Sequence, residues 1–381
     1  MWENSWIDVS GNNLLMTLGL IVLGVIWCLQ MFYMIFFYRR PSVYKARQEP
    51  HPALPVSIVM AARNEYHHLV KNLPLILEQD YPDFEVVLVN DASDDETEEY
   101  LKAMVLKHKN LNVLTIRSTL NFFKGKKFPL GLGIKAAKNE LLLLTDADCR
   151  PCGPGWITEM QACFDEKTDI VLGYGAYTSQ KGLLNKLIRW ETVFTAMQYF
   201  SFALAGHPYM GVGRNLAYRK SVFNKGNGFL SHYNVSSGDD DLFVNQNANK
   251  KNTNVCLSPT GLTYSFPSRT FSEWVRQKRR HITTGRHYKT SHKFLLAGWP
   301  VSLVLFIGLS LFLAFQPFNL AIIGLLLLIR QITFLCIFKK TMNRLTEKKL
   351  LVFSLIFELF FILFYPVLAS MNFFRKAPAW K

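Results

Sequence analysis

LLLLTDADC, residues 141–149, decides the architecture of this chain. Four consecutive leucines form an apolar run too short for a helix of its own, so Leu141–Thr145 reads as a strand buried on both faces. The chain then turns polar at once, with Asp146 and Asp148 two residues apart. In an extended segment residues i and i+2 point the same way, so both carboxylates can converge on one cation or its water shell. Hard divalent ions take such oxygen ligands. A lone D-x-D is common by chance, and its place directly after a buried strand is what gives it weight.

Working outward, Val56–Ala62 (VSIVMAA), Phe84–Asn90 (FEVVLVN) and Leu111–Ile116 (LNVLTI) are further short apolar, β-branched runs, and Asp169–Leu172 follows the leucine strand. Helical patterns over 66–79, 94–108 and 127–138 lie between them. Strands alternating with helices predict an α/β domain over residues 50–290, with a Rossmann-like, mostly parallel sheet covered on both faces. Ligands of such sheets bind beyond the carboxyl ends of the strands. There the polar residues gather: Arg63-Asn64-Glu65, Asn90-Asp91-Ala92-Ser93 and Asp146-Ala147-Asp148. The acidic run from Asp94 to Glu99 reads as a helix opening, where negative charge meets unpaired N–H groups.

The 381 residues are 50% hydrophobic, which excludes a disordered chain, and six scattered cysteines exclude a disulfide scaffold. Lys and Arg number 43 against 28 acids, a net charge of +15 that raises nucleic acid as a partner. The whole excess, however, lies in three stretches, 39–47, 269–293 and 339–349, each abutting a long apolar run. That is the pattern of a membrane protein, and no nucleic acid is expected. Leu14–Tyr38 is uncharged and long enough to cross a bilayer. Acids precede it and Arg39-Arg40 follow it, so it reads as a retained anchor behind a short extracytoplasmic N-terminus, 1–13. A C-terminal membrane region over 294–371 contains runs Phe294–Phe315 and Phe318–Phe338, separated by Gln316-Pro317, and a third from Leu350 to Met371. The third either spans fully or bends back at Pro366. Arg330, inside the second run, is either paired within the bundle or holds an anionic lipid or substrate. The expected location is a plasma (inner) membrane, with the 50–290 domain on the cytoplasmic side.

Three further features carry chemistry. Asp239, Asp240 and Asp241 repel one another, so their clustering calls for a metal, a general base or a helix cap. In Trp274-Val275-Arg276-Gln277-Lys278-Arg279-Arg280-His281, Gln277 and Arg280 share a helix face, and arginine holds phosphate oxygens bidentately. Segment 183–210 is apolar yet charged and reads as lying at the membrane surface or as a buried core helix, and 270–290 reads as a basic amphipathic stretch at that surface. Cys149 and Cys152 form a C-x-x-C, but irregular spacing to the other cysteines argues against zinc.

Taken together, VSIVMAARNE, EVVLVNDASDDET, GKKFPLGLGIKAAKNELLLLTDADC, GVGRNLAYRKSVF, SGDDDLF and QKRRH resemble, in order and spacing, the membrane-bound family 2 glycosyltransferases, the branch with ceramide glucosyltransferases and polysaccharide synthases. The resemblance implies a GT-A fold flanked by transmembrane helices and a metal-dependent hexosyltransferase of cell-envelope glycan or glycolipid synthesis. Ala62, Asn64 and Glu65 would line the base and ribose of a nucleotide-sugar, with Asp91 beside the base and Lys126 approaching the donor. Asp146 and Asp148 would hold Mg²⁺ or Mn²⁺ on the diphosphate, which Gln277 and Arg280 would contact. The catalytic base falls on Asp239, or on Asp240 after a one-residue shift. Trp274 and His281 mark the acceptor region. His281 stands where the family usually has Trp, Asn90 replaces the first acid of a usual pair, and Gly238 stands where an acid commonly precedes the base. The implied reaction is inverting transfer from a nucleotide-sugar, UDP-linked, to a membrane lipid or lipid-linked glycan. The alternatives are a processive polysaccharide synthase and a catalytically silent membrane scaffold.

Overall fold

The computed structural model describes residues 6–45, 52–117, 125–235, 237–315 and 320–374, with the side chains of 6–13 and 15 excepted. In chain order the elements are α1 (Trp6–Phe32), α2 (Arg40–Val43), β1 (Val56–Ala62), α3 (Tyr66–Leu77), β2 (Phe84–Asp91), α4 (Thr97–Lys107), β3 (Leu111–Ile116), α5 (Lys127–Ala136) and β4 (Leu141–Leu144). They continue as β5 (Arg150–Pro151), α6 (Trp156–Gln161), β6 (Ile170–Leu172), β7 (Gly175–Tyr177), α7 (Leu183–Leu204), β8 (Leu216–Arg219), α8 (Lys220–Lys225), α9 (Asp241–Asn247), β9 (Thr253–Val255) and β10 (Thr263–Ser265). Helices α10 (Phe271–Ile282), α11 (Thr290–Leu313), α12 (Leu320–Arg344) and α13 (Ser354–Phe374) close the chain.

Seven strands form one sheet in the order β3-β2-β1-β4-β8-β6-β9. The first four are parallel, and β8 runs antiparallel to both neighbours. A small second sheet, β5-β10-β7, has no counterpart in the sequence reading. The apolar runs are continuous because each strand feeds two cores. Ile58, Met60, Val86, Leu88, Leu141 and Leu143 pack beneath α3, α4 and α6, while Val59, Val87, Leu142 and Leu144 face α5 and α7. Burying one such side chain is worth ~1.5–3 kcal/mol. Helix α5 lies close on the sheet through Gly133, where a Cβ would come within 2.8 Å of Val59.

Among the described residues, four helices are long and apolar enough to cross a membrane: Met16–Tyr38, Thr290–Leu313, Leu320–Arg344 and Leu351–Phe374. The last runs through Pro366 as one helix, so the chain does not turn back there; the Gln316-Pro317 break lies outside the described residues. The second core is shared between these helices and the domain, for Tyr38, Trp299, Phe334 and Phe361 belong to the same cluster as Val59 and Leu144.

Of the two readings of segment 183–210, burial describes its helical part, because α7 is buried along most of its length among the sheet, α2, α12 and α13. Its charges are tolerated because they are paired. Arg189 Nε donates to Glu347 Oε2 at 2.9 Å, and Lys278 Nζ donates to Glu191 at 2.5 Å. Arg330 is likewise paired inside the bundle. It meets both carboxylate oxygens of Glu358 (2.7 and 2.5 Å) and Gln30 Oε1 (3.2 Å), with its guanidinium 5.3 Å over the Trp299 ring.

Candidate active site

Strands β1, β2 and β4 are in register, Val56 facing Phe84 on one side and Leu141 on the other, so the loops after them converge. Asn64 and Ala92 in these loops have φ of 56° and 47°, a left-handed conformation sparsely populated outside glycine. The strained loops are stitched together. Asn64 N donates to Ser93 Oγ (3.0 Å), Asp94 N donates to Asn64 Oδ1 (2.8 Å), and Ser93 Oγ donates to Asn90 Oδ1 (2.6 Å). Asp95 accepts from Tyr66 N and Thr97 N, opening both α3 and α4.

Beyond these strand ends lies a cavity of about 1080 Å³. It brings together Glu65, Lys126, Asp146, Asp148, Asp239, Asp240, Gln277, Arg280 and His281, all singled out from sequence. Four expected residues are not on its wall, where Ala61 and Arg63 appear instead of Ala62 and Asn64. Ala62 alternates to the other face of β1 and packs into the α3/α4/α6 core. Asn64 is engaged in the loop stitching, and Asp91 is buried. Trp274 is fully buried, stacked on Phe364 with ring centroids 4.8 Å apart, and bolts α10 to α13.

The electrostatics centre on Lys126, which forms an ion pair with Asp146 and lies 3.6 Å from Asp239. Burial opposes its charge, yet Asp146, Asp239 and Asp240 together hold its pKa above the usual lysine range. Burial likewise pushes Asp146 up, but Lys126, Arg214 and Arg280 outweigh it and keep the carboxyl below its ordinary value. Asp148 has no lysine ion pair, and burial, then Asp146 and Glu65, outweigh Arg214 and push it up to about 6. His281 lines the cavity and is exposed to it; crowding by the surrounding protein, then Lys278 and Arg280, lower its pKa below the histidine range. Helix α10, which carries these groups, opens with a capping box between Thr270 and Glu273.

The three adjacent acids have three different surroundings. Asp240 caps α9, accepting from Asp241 N and Gly213 N at 2.7 Å each, and burial pushes it up to about 8. Asp241 accepts from the Thr284 hydroxyl, the Tyr288 hydroxyl (2.7 Å) and Leu242 N (2.8 Å). Asp239 instead meets Lys126 inside the cavity. Gly238 is glycine because its φ is +99° and a Cβ would come within 2.5 Å of Leu242; an acid in that backbone is excluded.

Sequence reasoning missed Arg214 and Glu191. Arg214 lies 4.1 Å over the Tyr177 ring, donates to Ser265 Oγ at 3.0 Å, and faces Asp146 and Asp148. Its one signal was its place in GVGRNLAYR. Gln277 Nε2 donates to Tyr177 at 3.3 Å, so one tyrosine braces both. Among the described residues, Asp146, Asp148 and Cys149 form a cluster whose ligand atoms lie within 4.8 Å of one another. The Cys149 thiol donates to Asp148 at 3.4 Å, not to another cysteine.

The family descriptions "Glycosyl transferase family 2" and "Glycosyl transferase family group 2" match residues 57–226 and 153–368, the second covering more than half of the chain. The chain belongs to the family 2 glycosyl transferases. Among curated relatives of this glycosyltransferase is a poly-β-1,6-N-acetyl-D-glucosamine synthase of Staphylococcus epidermidis, 27% identical over 130 residues, 34% of this chain and 30% of that one. An uncharacterized glycosyltransferase of Haemophilus influenzae is 25% identical over 122 residues, 32% of this chain and 36% of that one. The similarity thus spans about a third of each relative. Among solved structures, a mannosyltransferase of Pyrobaculum calidifontis, in complex with GDP-Man and Mn²⁺, superposes with a TM-score of 0.58 at 17% identity, over 87% of this chain and 99% of that one. The domain has the GT-A fold.

Proposed function

We propose that this glycosyltransferase transfers a hexose, with inversion, from a UDP-linked sugar to a hydroxyl of a membrane-associated lipid or lipid-linked glycan. One observation carries the reading: a single cavity joins the carboxylates Asp146, Asp148 and Asp239 to residues of the apolar helices α11 and α13. Donor chemistry and a membrane acceptor therefore meet in one space.

Asp239 is the general base. It takes the proton of the acceptor hydroxyl as that oxygen attacks the anomeric carbon from the face opposite the diphosphate. The bond from that carbon to the phosphate oxygen breaks, and the nucleoside diphosphate leaves. Arg280 and Gln277 hold its phosphate oxygens, while Lys126 and Arg214 add positive charge to the same region. Two convergent carboxylates, one pushed up to about 6 by burial and by the other's charge, suit Mg²⁺ or Mn²⁺. Such an ion on Asp146 and Asp148 would neutralise charge on the leaving diphosphate. The basic clusters flanking the apolar helices support a cytoplasmic domain on a plasma (inner) membrane.

The test is full-length protein in native lipids with a panel of radiolabelled nucleotide-sugars and Mn²⁺. The wild type transfers one sugar, and Asp239→Asn loses ~10²–10⁴-fold in turnover while titration calorimetry finds donor affinity unchanged. Full activity in Asp239→Asn removes it as base. Failure of the wild type to turn over any donor, hydrolysis included, removes the catalytic reading.

A further inference from the structure

The cavity does not close behind the carboxylates. It continues past Glu191 and Tyr365 and is walled at its far end by Val301, Val304 and Leu305 of α11 and Ile362, Pro366 and Ala369 of α13. Although they line the cavity, Val301, Val304 and Leu305 are each about half exposed, at 54%, 49% and 53%. The arm is therefore open along the flank of the apolar helices. The packing agrees, since α11 leans on α1 while α13 leans on α10 and α7, with the cavity between them.

A polar collar separates this arm from the reacting end. Glu191 accepts from Lys278 Nζ (2.5 Å), the Tyr365 hydroxyl (2.7 Å) and the Thr195 hydroxyl (3.1 Å), and all four residues line the cavity. The Lys278 ammonium carries two further donor protons, and the tyrosine oxygen can accept.

We propose that the arm is a lipid slot: the hydrocarbon chain of a neutral, hydroxyl-bearing lipid enters sideways from the bilayer between α11 and α13, and its head stops at the Glu191–Lys278–Tyr365 collar, beside Asp239. The inference rests on the transfer reading above and names its acceptor as a lipid rather than a growing glycan. The walls make that choice. A glycan in the arm would set its hydroxyls against aliphatic side chains, where each loses its hydrogen bonds to water and gains none. A hydrocarbon chain already in the bilayer moves between equally apolar surroundings and never crosses water. The collar suits a hydroxyl head, because the Lys278–Glu191 pair is neutral in sum and leaves the ammonium to donate and the tyrosine oxygen to accept.

The experiment uses the full-length protein in phosphatidylcholine vesicles with a diacylglycerol carrying a photoreactive diazirine in one acyl chain. Labelling concentrates on residues 301–305 and 362–369, and excess unlabelled diacylglycerol suppresses it. Ala369→Trp and Val304→Trp, both on the exposed flank, fill the slot and lower labelling by ~10-fold or more, with nucleotide-sugar affinity kept within about twofold. Labelling spread evenly over the lipid-facing helices, or unchanged in both variants, overturns the slot. Suppression by chitohexaose and not by diacylglycerol overturns it in favour of a glycan. Focused, competed labelling in a protein that turns over no donor sinks the transfer reading and leaves the slot standing.

Discussion

Trp274 is where sequence resemblance and structure assign one residue different work, and replacing it separates them. The indole has 0% of its surface exposed; it stacks on Phe364 with the ring planes 9° apart and meets Phe361 edge-on at 6.1 Å. Truncating a buried aromatic to alanine removes its transfer free energy and leaves a cavity, ~3–5 kcal/mol in total. For a folded unit of this size that lowers the melting midpoint by ~6–20 °C. Trp274→Phe behaves differently. It keeps a ring on Phe364 and removes an indole N–H that has no partner among the described residues, so the lost area is offset by a relieved donor. Nearly wild-type melting is expected for it. The assay is thermal unfolding in detergent micelles with donor titration alongside. Trp274→Ala melts early and binds donor weakly, because α10 also carries Gln277 and Arg280, whereas Trp274→Phe does neither. Wild-type melting in both variants, with a raised KM for acceptor alone, would refute the packing role and return Trp274 to the acceptor site.

Two further outcomes follow from buried charges. Glu347→Gln strands Arg189 inside α7 and costs ~3–5 kcal/mol, whereas Arg189→Met with Glu347→Leu recovers most of it; losses that simply add in a double-mutant melting cycle would show that the pair is not coupled. His232 is held neutral by burial and by Lys127 nearby, with its pKa lowered to about 4 from an ordinary 6.5. The unfolded chain then binds the extra proton first, so stability present above pH 6.5 is lost as pH falls toward 4, by ~3 kcal/mol at most. His232→Gln flattens that acid limb in a series of melts, and an unaltered limb assigns the loss elsewhere.

The legible parts were those where one residue type has one use. Parallel strands covered on both faces must be apolar throughout, and VSIVMAA, FEVVLVN and LLLL fall within a residue of their observed bounds. Acids at strand ends were equally readable, because an extended backbone fixes which way they point. Charge inside the core was not. Arg189 and Glu191 made α7 look like a surface helix, for a single sequence shows charges but not their partners across 87 or 158 positions. The burial of Trp274 was hidden for the same reason. Its stacking partner lies 90 residues later, and nothing local separates an aromatic that packs from one that receives a sugar.

The Arg330–Glu358 pair bears on how the molecule is made. An arginine at the centre of a lone span costs ~2.5–3.5 kcal/mol to insert, and a buried acid without a partner is similarly disfavoured. Here the charge on α12 is answered by α13, synthesised after it, while α1, synthesised before it, contributes Gln30. These four helices therefore reach their low-energy arrangement only after α13 has left the ribosome. A chain truncated before residue 358 would carry an exposed mid-membrane arginine, a ready mark by which quality control can tell an unfinished copy from a finished one.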